Sequence, residues 1–161
     1  MKNMDIEVVR IIDNIKNRNP ILVFGDYDAD GTTRAAMLTL ALSSIGAEVT
    51  SSIPNREQEG NGLSQKGIIF AQSIGANLII TCDYGINAYE MVEFAHSLEV
   101  NVIITDHDIP GETLSNAYAV LNPKRKDCKY PFKVLCGGGV ALKLMTALMA
   151  KIKMNEEIHP D

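Results

Sequence analysis

Three short apolar runs that each end in acidic residues constrain this chain more than any other feature. Each run has the length and composition of a buried β-strand: Ile21 to Phe24, Leu78 to Thr81 and Val102 to Thr105. The residues that follow them are Asp26, Asp28 and Asp30, then Asp83, then Asp106, His107 and Asp108. In an open parallel sheet the carboxyl ends of the strands share one edge, where ligands bind at the switch in strand order. The sequence therefore predicts one shared metal or phosphate site.

The first acidic loop permits two interpretations when it is taken alone. Carboxylates a few ångströms apart repel one another, and a divalent cation is the simplest way to keep them ionised together. An Asp-rich turn whose side chains only cap the following helix would have the same composition. The recurrence of acids at two further strand ends favours the metal site.

Strand and helix patterns alternate along the chain. Apolar spacing predicts a first helix from Met4 to Ile15, a second from about Thr32 to Ile45 and a short one between Ser64 and Ile74. Asn87 and Glu90 stand in capping-box relation before a fourth helix, and the last helix opens at Gly137 to Gly139. Two further strands are predicted, at Val49 to Ile53 and Tyr118 to Leu121. The expected fold is α/β: a single doubly wound domain, 1–161, with a mainly parallel five-stranded sheet and helices on both faces.

Composition limits the functional classes. The net charge of -5 argues against a protein that coats nucleic acid nonspecifically, although acids gathered around metal ions inflate that count. The three cysteines have no C-x-x-C spacing, so neither a zinc site nor a disulfide frame is indicated. No signal peptide or membrane-length apolar run is present, and a cytoplasmic protein without membrane contact is expected.

Several residues outside the acidic loops are candidates for substrate binding. Arg56 is the only cation in the polar loop after the second strand. The loop from Asn122 to Lys133 is basic, with Lys124, Arg125, Lys126, Lys129 and Lys133. It is either a phosphate-tracking strip or an ordinary solvated loop. Gly137, Gly138 and Gly139 either let the backbone approach a phosphate or permit close helix packing.

The donor types at the strand ends indicate the ion. Hard oxygen ligands with one imidazole suit Mn²⁺ or Mg²⁺ better than zinc, and two such ions are commonly used to hydrolyse phosphate esters. Asp83 follows the middle of the three strands and is the natural bridging ligand. His107, between two acids, is predicted to be a ligand rather than a core histidine.

The motifs GDYDADGTT, TCDYGIN, VIITDHDIPGE, NPKRKDCKYPFK and CGGGVALKL resemble those of the DHH phosphoesterase superfamily, specifically its RecJ-type single-stranded DNA exonucleases. The loop IPNREQEGNGL is similar to the one that follows the second strand in that family. The resemblance spans almost the whole chain. It implies a 5′-to-3′ nuclease core that uses two Mn²⁺ or Mg²⁺ ions on single-stranded DNA, with replication or repair proteins as candidate partners.

The resemblance also implies residue roles. Asp28, Asp30, Asp83 and His107 match metal ligands, and Asp106 matches the acid that supports the histidine. The family's Asp-His-His reads Asp106-His107-Asp108 here, so an acid replaces the histidine that lies toward the scissile phosphate. The fourth metal-binding motif and the second, smaller domain of the family lie beyond the residues of this chain. The expectation is therefore a truncated or degenerate domain with little activity.

Three other interpretations compete with a nuclease. A haloacid-dehalogenase-type phosphatase would use Asp26 and Asp28 as its Asp-x-Asp pair but leaves the Asp-His-Asp triplet and the glycines unexplained. A receiver-like phosphoacceptor would use Asp83 and Lys124. The third is a pseudo-nuclease that keeps the fold and acts as a binding or scaffold module in replication or repair; Asp108 and the missing motif favour it.

Overall fold

A computed structural model describes residues 1–54 and 62–158. They contain five helices and five strands, which alternate along the chain except that the last two strands follow each other without a helix between them. The elements are α1 (Met4–Lys16), β1 (Ile21–Gly25), α2 (Ala29–Ser44), β2 (Val49–Ser52), α3 (Gln65–Ser73), β3 (Leu78–Cys82), α4 (Tyr89–Ser97), β4 (Asn101–Thr105), β5 (Ala119–Leu121) and α5 (Gly137–Ile158). The predicted elements are all found, with ends that differ by a few residues.

All five strands are parallel and lie in the order β2-β1-β3-β4-β5. The chain moves outward from β1 to β2 and then returns to the other side of β1 with β3. The strand order therefore reverses between β1 and β3, and this is the position at which open α/β sheets bind ligands. The doubly wound architecture predicted from the sequence is confirmed.

Helices cover both faces of the sheet, because the residues on both sides of β1, β3, β4 and β5 are mostly apolar and buried. One face packs against α1, α2 and α5 through residues such as Val23, Ile80 and Leu144. The other packs against α3 and α4 through Phe24, Ile79 and Val92, among others. Full burial of such a side chain contributes about 1.5–3 kcal/mol. No helix in the described ranges is long and apolar enough to cross a membrane.

Two local predictions need correction. Helix α2 begins at Ala29, three residues before the predicted Thr32, because the Asp28 side chain caps it by accepting from the Gly31 N–H at 2.6 Å. The predicted capping box of Asn87 is wrong: α4 begins at Tyr89 with Ala88 as its N-cap, and no side chain caps it. Asn87 Oδ1 accepts instead from the Gly111 N–H at 3.3 Å, joining two loops at the carboxyl edge of the sheet.

Candidate active site

The acidic residues that follow the strands lie at one level along the carboxyl edge. Gly25 pairs with Cys82, Cys82 with Thr105, and Thr105 with Leu121, so the strands end in register. The next residues are Asp26, Asp83, Asp106 and Asn122. The backbone pairing continues one step further, because the Asp83 N–H donates to Thr105 O at 2.9 Å and the Asp106 N–H donates to Leu121 O at 3.0 Å. The acids after the three strands therefore come together, as predicted, because the strands end in register.

Asp83 is the centre of the side-chain contacts. Its backbone has a φ of 65°, a left-handed conformation that aspartate tolerates better than most residues. One carboxylate oxygen, Oδ1, lies 2.8 Å from His107 Nε2, and the other, Oδ2, contacts Nη1 of Arg34. Burial raises the pKa of Asp83 above its ordinary value, while the neighbouring charges of Arg34 and His107 oppose that rise. Both oxygens of the predicted bridging ligand are thus already engaged.

Arg34 is a site residue that the sequence reasoning missed. It lies in the second turn of α2, and its side chain is only 8% exposed, whereas that of Asp30 is 78% exposed. Its Nη2 donates to Asp30 Oδ2 at 3.0 Å, so one guanidinium joins the acidic loop after β1 to the acid after β3. The available signal was an isolated arginine, four residues after Asp30, in an otherwise apolar helix.

The other acids of the first loop bind their own backbone. Asp28 Oδ1 accepts from the Gly31 N–H, and Asp26 Oδ1 accepts from the Tyr27 N–H at 2.7 Å. The capping interpretation of this loop therefore describes Asp28 in the present arrangement. It also uses one of the N–H groups at the start of α2 that have no partner within the helix.

Asp106 is buried at the carboxyl edge of the sheet and binds the backbone of two loops there. Its carboxylate is buried and accepts three backbone N–H bonds: from Ile86 at 3.0 Å, His107 at 2.7 Å and Asp108 at 3.1 Å. A carboxylate with three such donors is well stabilised without a counter-ion. Asp106 therefore fixes the loop that carries His107, and it touches neither imidazole nitrogen in any contact found among the described residues.

Asp108 lies on the open side of this arrangement. It is exposed, and with Asp106 and the segment from Tyr84 to Ala88 it lines a small pocket of about 110 Å³. Its backbone oxygen accepts from Asn122 Nδ2 at 2.9 Å, and Asn122 Oδ1 in turn accepts from the Lys124 N–H at 2.8 Å. The buried amide of Asn122 thereby connects the Asp108 loop to the basic loop.

The three glycines at the start of α5 have different surroundings. A Cβ on Gly137 would lie 2.6 Å from Arg34 Nη1 and 2.7 Å from Asp83 Oδ1. On Gly139 it would lie 2.4 Å from the Leu135 side chain, whereas on Gly138 nothing would be closer than 3.8 Å. Gly137 therefore lies at the site. Gly139 instead permits close packing against Leu135, which was the second explanation given for the glycines.

Two cations of the basic loop are bonded to other groups of the protein, and the remaining lysines are candidates for binding DNA. Arg125 is buried; its guanidinium donates to both carboxylate oxygens of Asp127, at 2.9 and 2.8 Å, and to Val120 O at 2.7 Å. Lys133 Nζ donates to the backbone oxygens of Pro123 and Cys128. The prediction of a continuous strip that includes Arg125 and Lys133 is therefore corrected to Lys124, Lys126 and Lys129. Arg56 lies outside the described residues.

The side chains at the site are of the types that bind a divalent ion, but they are not arranged to hold one. Three carboxylates and an imidazole are the ligand types that Mn²⁺ and Mg²⁺ accept. Within residues 1–54 and 62–158, however, no three His, Cys, Asp or Glu side chains converge as a group that could hold an ion. Arg34 lies between Asp30 and Asp83 and contacts both carboxylates. The side chains fit the ion in chemistry but not in their present arrangement.

The family model described as the DHH family, N-terminal domain, matches residues 20–161. This chain belongs to the DHH family. The match contains all three acidic strand ends and the triple glycine, so the sequence-based assignment to this superfamily is confirmed. The family model covers the whole sheet and the last helix.

Curated relatives are RecJ exonucleases. The chain is 44% identical over 149 residues to the single-stranded-DNA-specific exonuclease RecJ of Dickeya dadantii, covering 92% of this chain and 26% of that protein. It is 47% identical over 129 residues to the Escherichia coli RecJ, covering 80% of this chain and 22% of that protein. The chain therefore spans about a quarter of the length of these relatives.

Solved structures of RecJ share the fold. A RecJ exonuclease bound to manganese matches with a TM-score of 0.84 and 31% identity, covering 94% of this chain and 38% of that chain. Thermus thermophilus RecJ in complex with Mn²⁺ matches with a TM-score of 0.78 and 28% identity, covering 95% of this chain and 22% of that chain. A Thermus thermophilus RecJ was also solved in complex with Mg²⁺. The predicted cofactors, Mn²⁺ or Mg²⁺, are those of the structural relatives.

Proposed function

We propose that this chain is the phosphodiesterase domain of a RecJ-type exonuclease that degrades single-stranded DNA from the 5′ end. The observation that carries the proposal is the register of the sheet, which brings the acids after β1, β3 and β4 to the switch point in a member of the DHH family. Hydrolysis of a phosphodiester needs this concentration of anionic ligands next to a place where substrate can enter.

In this proposal Asp28, Asp30, Asp83 and His107 are the side chains that would hold divalent ions. Such ions would polarise a phosphate ester and stabilise negative charge on its oxygens. The role of Asp106 is to position His107 through its backbone N–H. Lys124, Lys126 and Lys129 attract the DNA backbone, and Gly137 leaves room beside Asp83 at the start of α5.

A second candidate function has its own observation. Arg34 offsets part of the negative charge of Asp83 and Asp30, and Asp108 adds a negative charge at the open side of the site. Both features disfavour turnover and are consistent with a domain that keeps the fold and binds a partner. A binding or scaffold role in replication or repair is therefore the alternative to hydrolysis.

The cellular setting follows from the same proposal. Single-stranded DNA is the expected partner, and replication or repair proteins are further candidates. A cytoplasmic location is part of this proposal. The reduced form of all three cysteines is consistent with that compartment.

A nuclease assay with 5′-labelled single-stranded DNA and Mn²⁺ separates the two functions. The unmodified chain should be nearly inactive, because Asp108 repels the phosphate and removes a potential proton donor, each a loss of about tenfold or more. Asp108→His should yield measurable hydrolysis, and the double variant with Asp83→Asn should not. If the reading frame continues past Asp161, the longer gene product is the third protein to compare.

The outcomes are distinct. Hydrolysis by the Asp108→His variant that requires Asp83 supports the nuclease. Robust cleavage by the unmodified chain that is lost in Asp28→Ala would also support it, while showing that Asp108 is no obstacle. DNA binding without cleavage in every protein tested would favour the binding module.

A further inference from the structure

Arg34 is a buried cation surrounded by the residues that the proposed function assigns to metal ions. Its guanidinium contacts Asp83 Oδ2 through Nη1 and Asp30 Oδ2 through Nη2, the latter at 3.0 Å. These two carboxylates belong to different strand ends, on either side of the switch point between β1 and β3. The arginine therefore connects the two loops that a divalent ion would otherwise connect.

The surroundings hold Arg34 in this position. The start of α5 lies against the pair so closely that a Cβ on Gly137 would be 2.9 Å from Arg34 Cζ and 2.7 Å from Asp83 Oδ1. His107 Nε2 occupies the remaining oxygen of Asp83 at 2.8 Å. A buried guanidinium is costly to keep without a carboxylate partner, and the largely buried carboxylate of Asp83 is costly without a cation, whereas Asp30 is exposed to solvent. Each side of this contact therefore stabilises the other.

We propose that Arg34 is a built-in cation that holds Asp83 and Asp30 when no metal is bound and competes with Mn²⁺ or Mg²⁺ for them. A metal ion must displace the guanidinium from Asp83 before that carboxylate can become a ligand. Arg34 is thus a positioning residue that lowers the affinity of the site for divalent ions. This inference rests on the proposed function, because it takes the strand-end acids to be the metal site.

Isothermal titration of Mn²⁺ into the chain and into Arg34→Met tests the competition directly. Methionine keeps much of the apolar stem and removes the charge. Because the ion pair between Arg34 and Asp83 must be given up when the parent binds an ion, the variant should bind Mn²⁺ about tenfold more tightly or better. Arg34→Met combined with Asp83→Asn should lose the tight site.

Arg10→Met is the matched control. Arg10 is a partly buried arginine of α1 that donates from Nε to Asn101 Oδ1 at 3.1 Å and lies over the Tyr118 ring. Its replacement changes the net charge by the same amount, so a general electrostatic gain in Mn²⁺ affinity would appear in both variants. Only an increase specific to Arg34→Met supports the inference.

A measurement on the unmodified chain keeps the test valid if Arg34→Met does not fold. The Nε–H signal of Arg34 in a nitrogen-15 NMR spectrum should exchange slowly without metal and should shift or exchange faster as Mg²⁺ is added. An Arg34 signal that stays unchanged while Mg²⁺ saturates the site would overturn the inference.

The remaining outcomes separate this inference from the proposed function. Equal Mn²⁺ affinity in parent and Arg34→Met would overturn the competition and leave the metal site standing. Absence of Mn²⁺ binding in both proteins would overturn the inference together with the metal site on which it rests.

Discussion

The carboxyl group of Glu7 is buried inside the protein, and its replacement by glutamine should stabilise the chain at neutral pH. Glu7 lies on the inner side of α1 with 0% of its surface exposed, and neither carboxylate oxygen has a hydrogen-bond partner among the described residues. Burial raises the pKa of Glu7 well above its ordinary value of 4.5, and the charges of Arg125 and the amino terminus only partly oppose this.

The sign and size of the effect follow from proton linkage. Because the pKa is higher in the folded than in the unfolded state, the contribution of protonated Glu7 to stability is complete below pH 4.5 and is lost as pH rises through the folded-state pKa. One proton is involved, so the free energy of unfolding should fall by about 1.4 kcal/mol per pH unit in that window. Glu7→Gln carries no titrating group and should lack this slope.

Urea denaturation at a series of pH values measures the difference between the parent and Glu7→Gln. Their free energies of unfolding should run in parallel below pH 4.5 and diverge above it, with the variant the more stable. Glu48→Gln is the control, because Glu48 is exposed and its replacement should leave the pH profile of the parent unchanged. Parallel profiles across the whole range, or a less stable Glu7→Gln at pH 7, would refute the reasoning.

Two further predictions concern the glycines and the basic loop. Gly137→Ala should lower the free energy of unfolding by about 1–3 kcal/mol, because its Cβ would collide with the Arg34–Asp83 pair, whereas Gly138→Ala has open space and should be neutral or stabilising in thermal melts. Binding of single-stranded DNA should weaken steeply with salt, and replacing Lys124, Lys126 and Lys129 together by glutamate should flatten that dependence in fluorescence titrations. An unchanged salt slope in that variant would return the loop to an ordinary solvated surface.

The sheet and its acidic edge could be predicted because both depend on local sequence. Apolar runs such as Leu78 to Thr81 are buried on both faces of a parallel sheet and need no knowledge of their partners to be identified. Once the strands are parallel, acids directly after them must meet at one edge. Asp83 and Asp106 therefore lie where the sequence placed them.

The side-chain pairing within the site could not be predicted in the same way. Arg34 pairs with Asp83, which is 49 positions away and comes close only after the sheet has formed. Arg125 looked like a surface cation because its neighbours in sequence are charged, yet it is buried against Asp127 and Val120 O. The tertiary structure decides which charged side chains become buried, even where one partner is near in sequence, as in the Arg125–Asp127 pair.

Helix caps are hard to predict for a different reason, because several neighbouring residues can act as the cap. Asn87 and Glu90 have the spacing of a capping box, but Asn87 bonds to Gly111 across the edge of the sheet and α4 starts without a side-chain cap. Ser64, the first residue of the predicted short helix, does cap α3: its hydroxyl oxygen accepts from the Gly67 N–H at 3.1 Å. A local motif is realised only where no tertiary partner competes for the same atom.

Thermal unfolding with and without saturating Mn²⁺ is the most direct test of a divalent-ion site at the strand ends. At 100 times its dissociation constant an ion that binds only the folded state adds about 2.7 kcal/mol, or about 5–10 °C for a chain of this size. The melting temperature of the parent and of Asp13→Asn, an exposed acid of α1, should rise by this amount, and that of Asp83→Asn should not. No rise in the parent, or an equal rise in Asp83→Asn, would contradict the metal site.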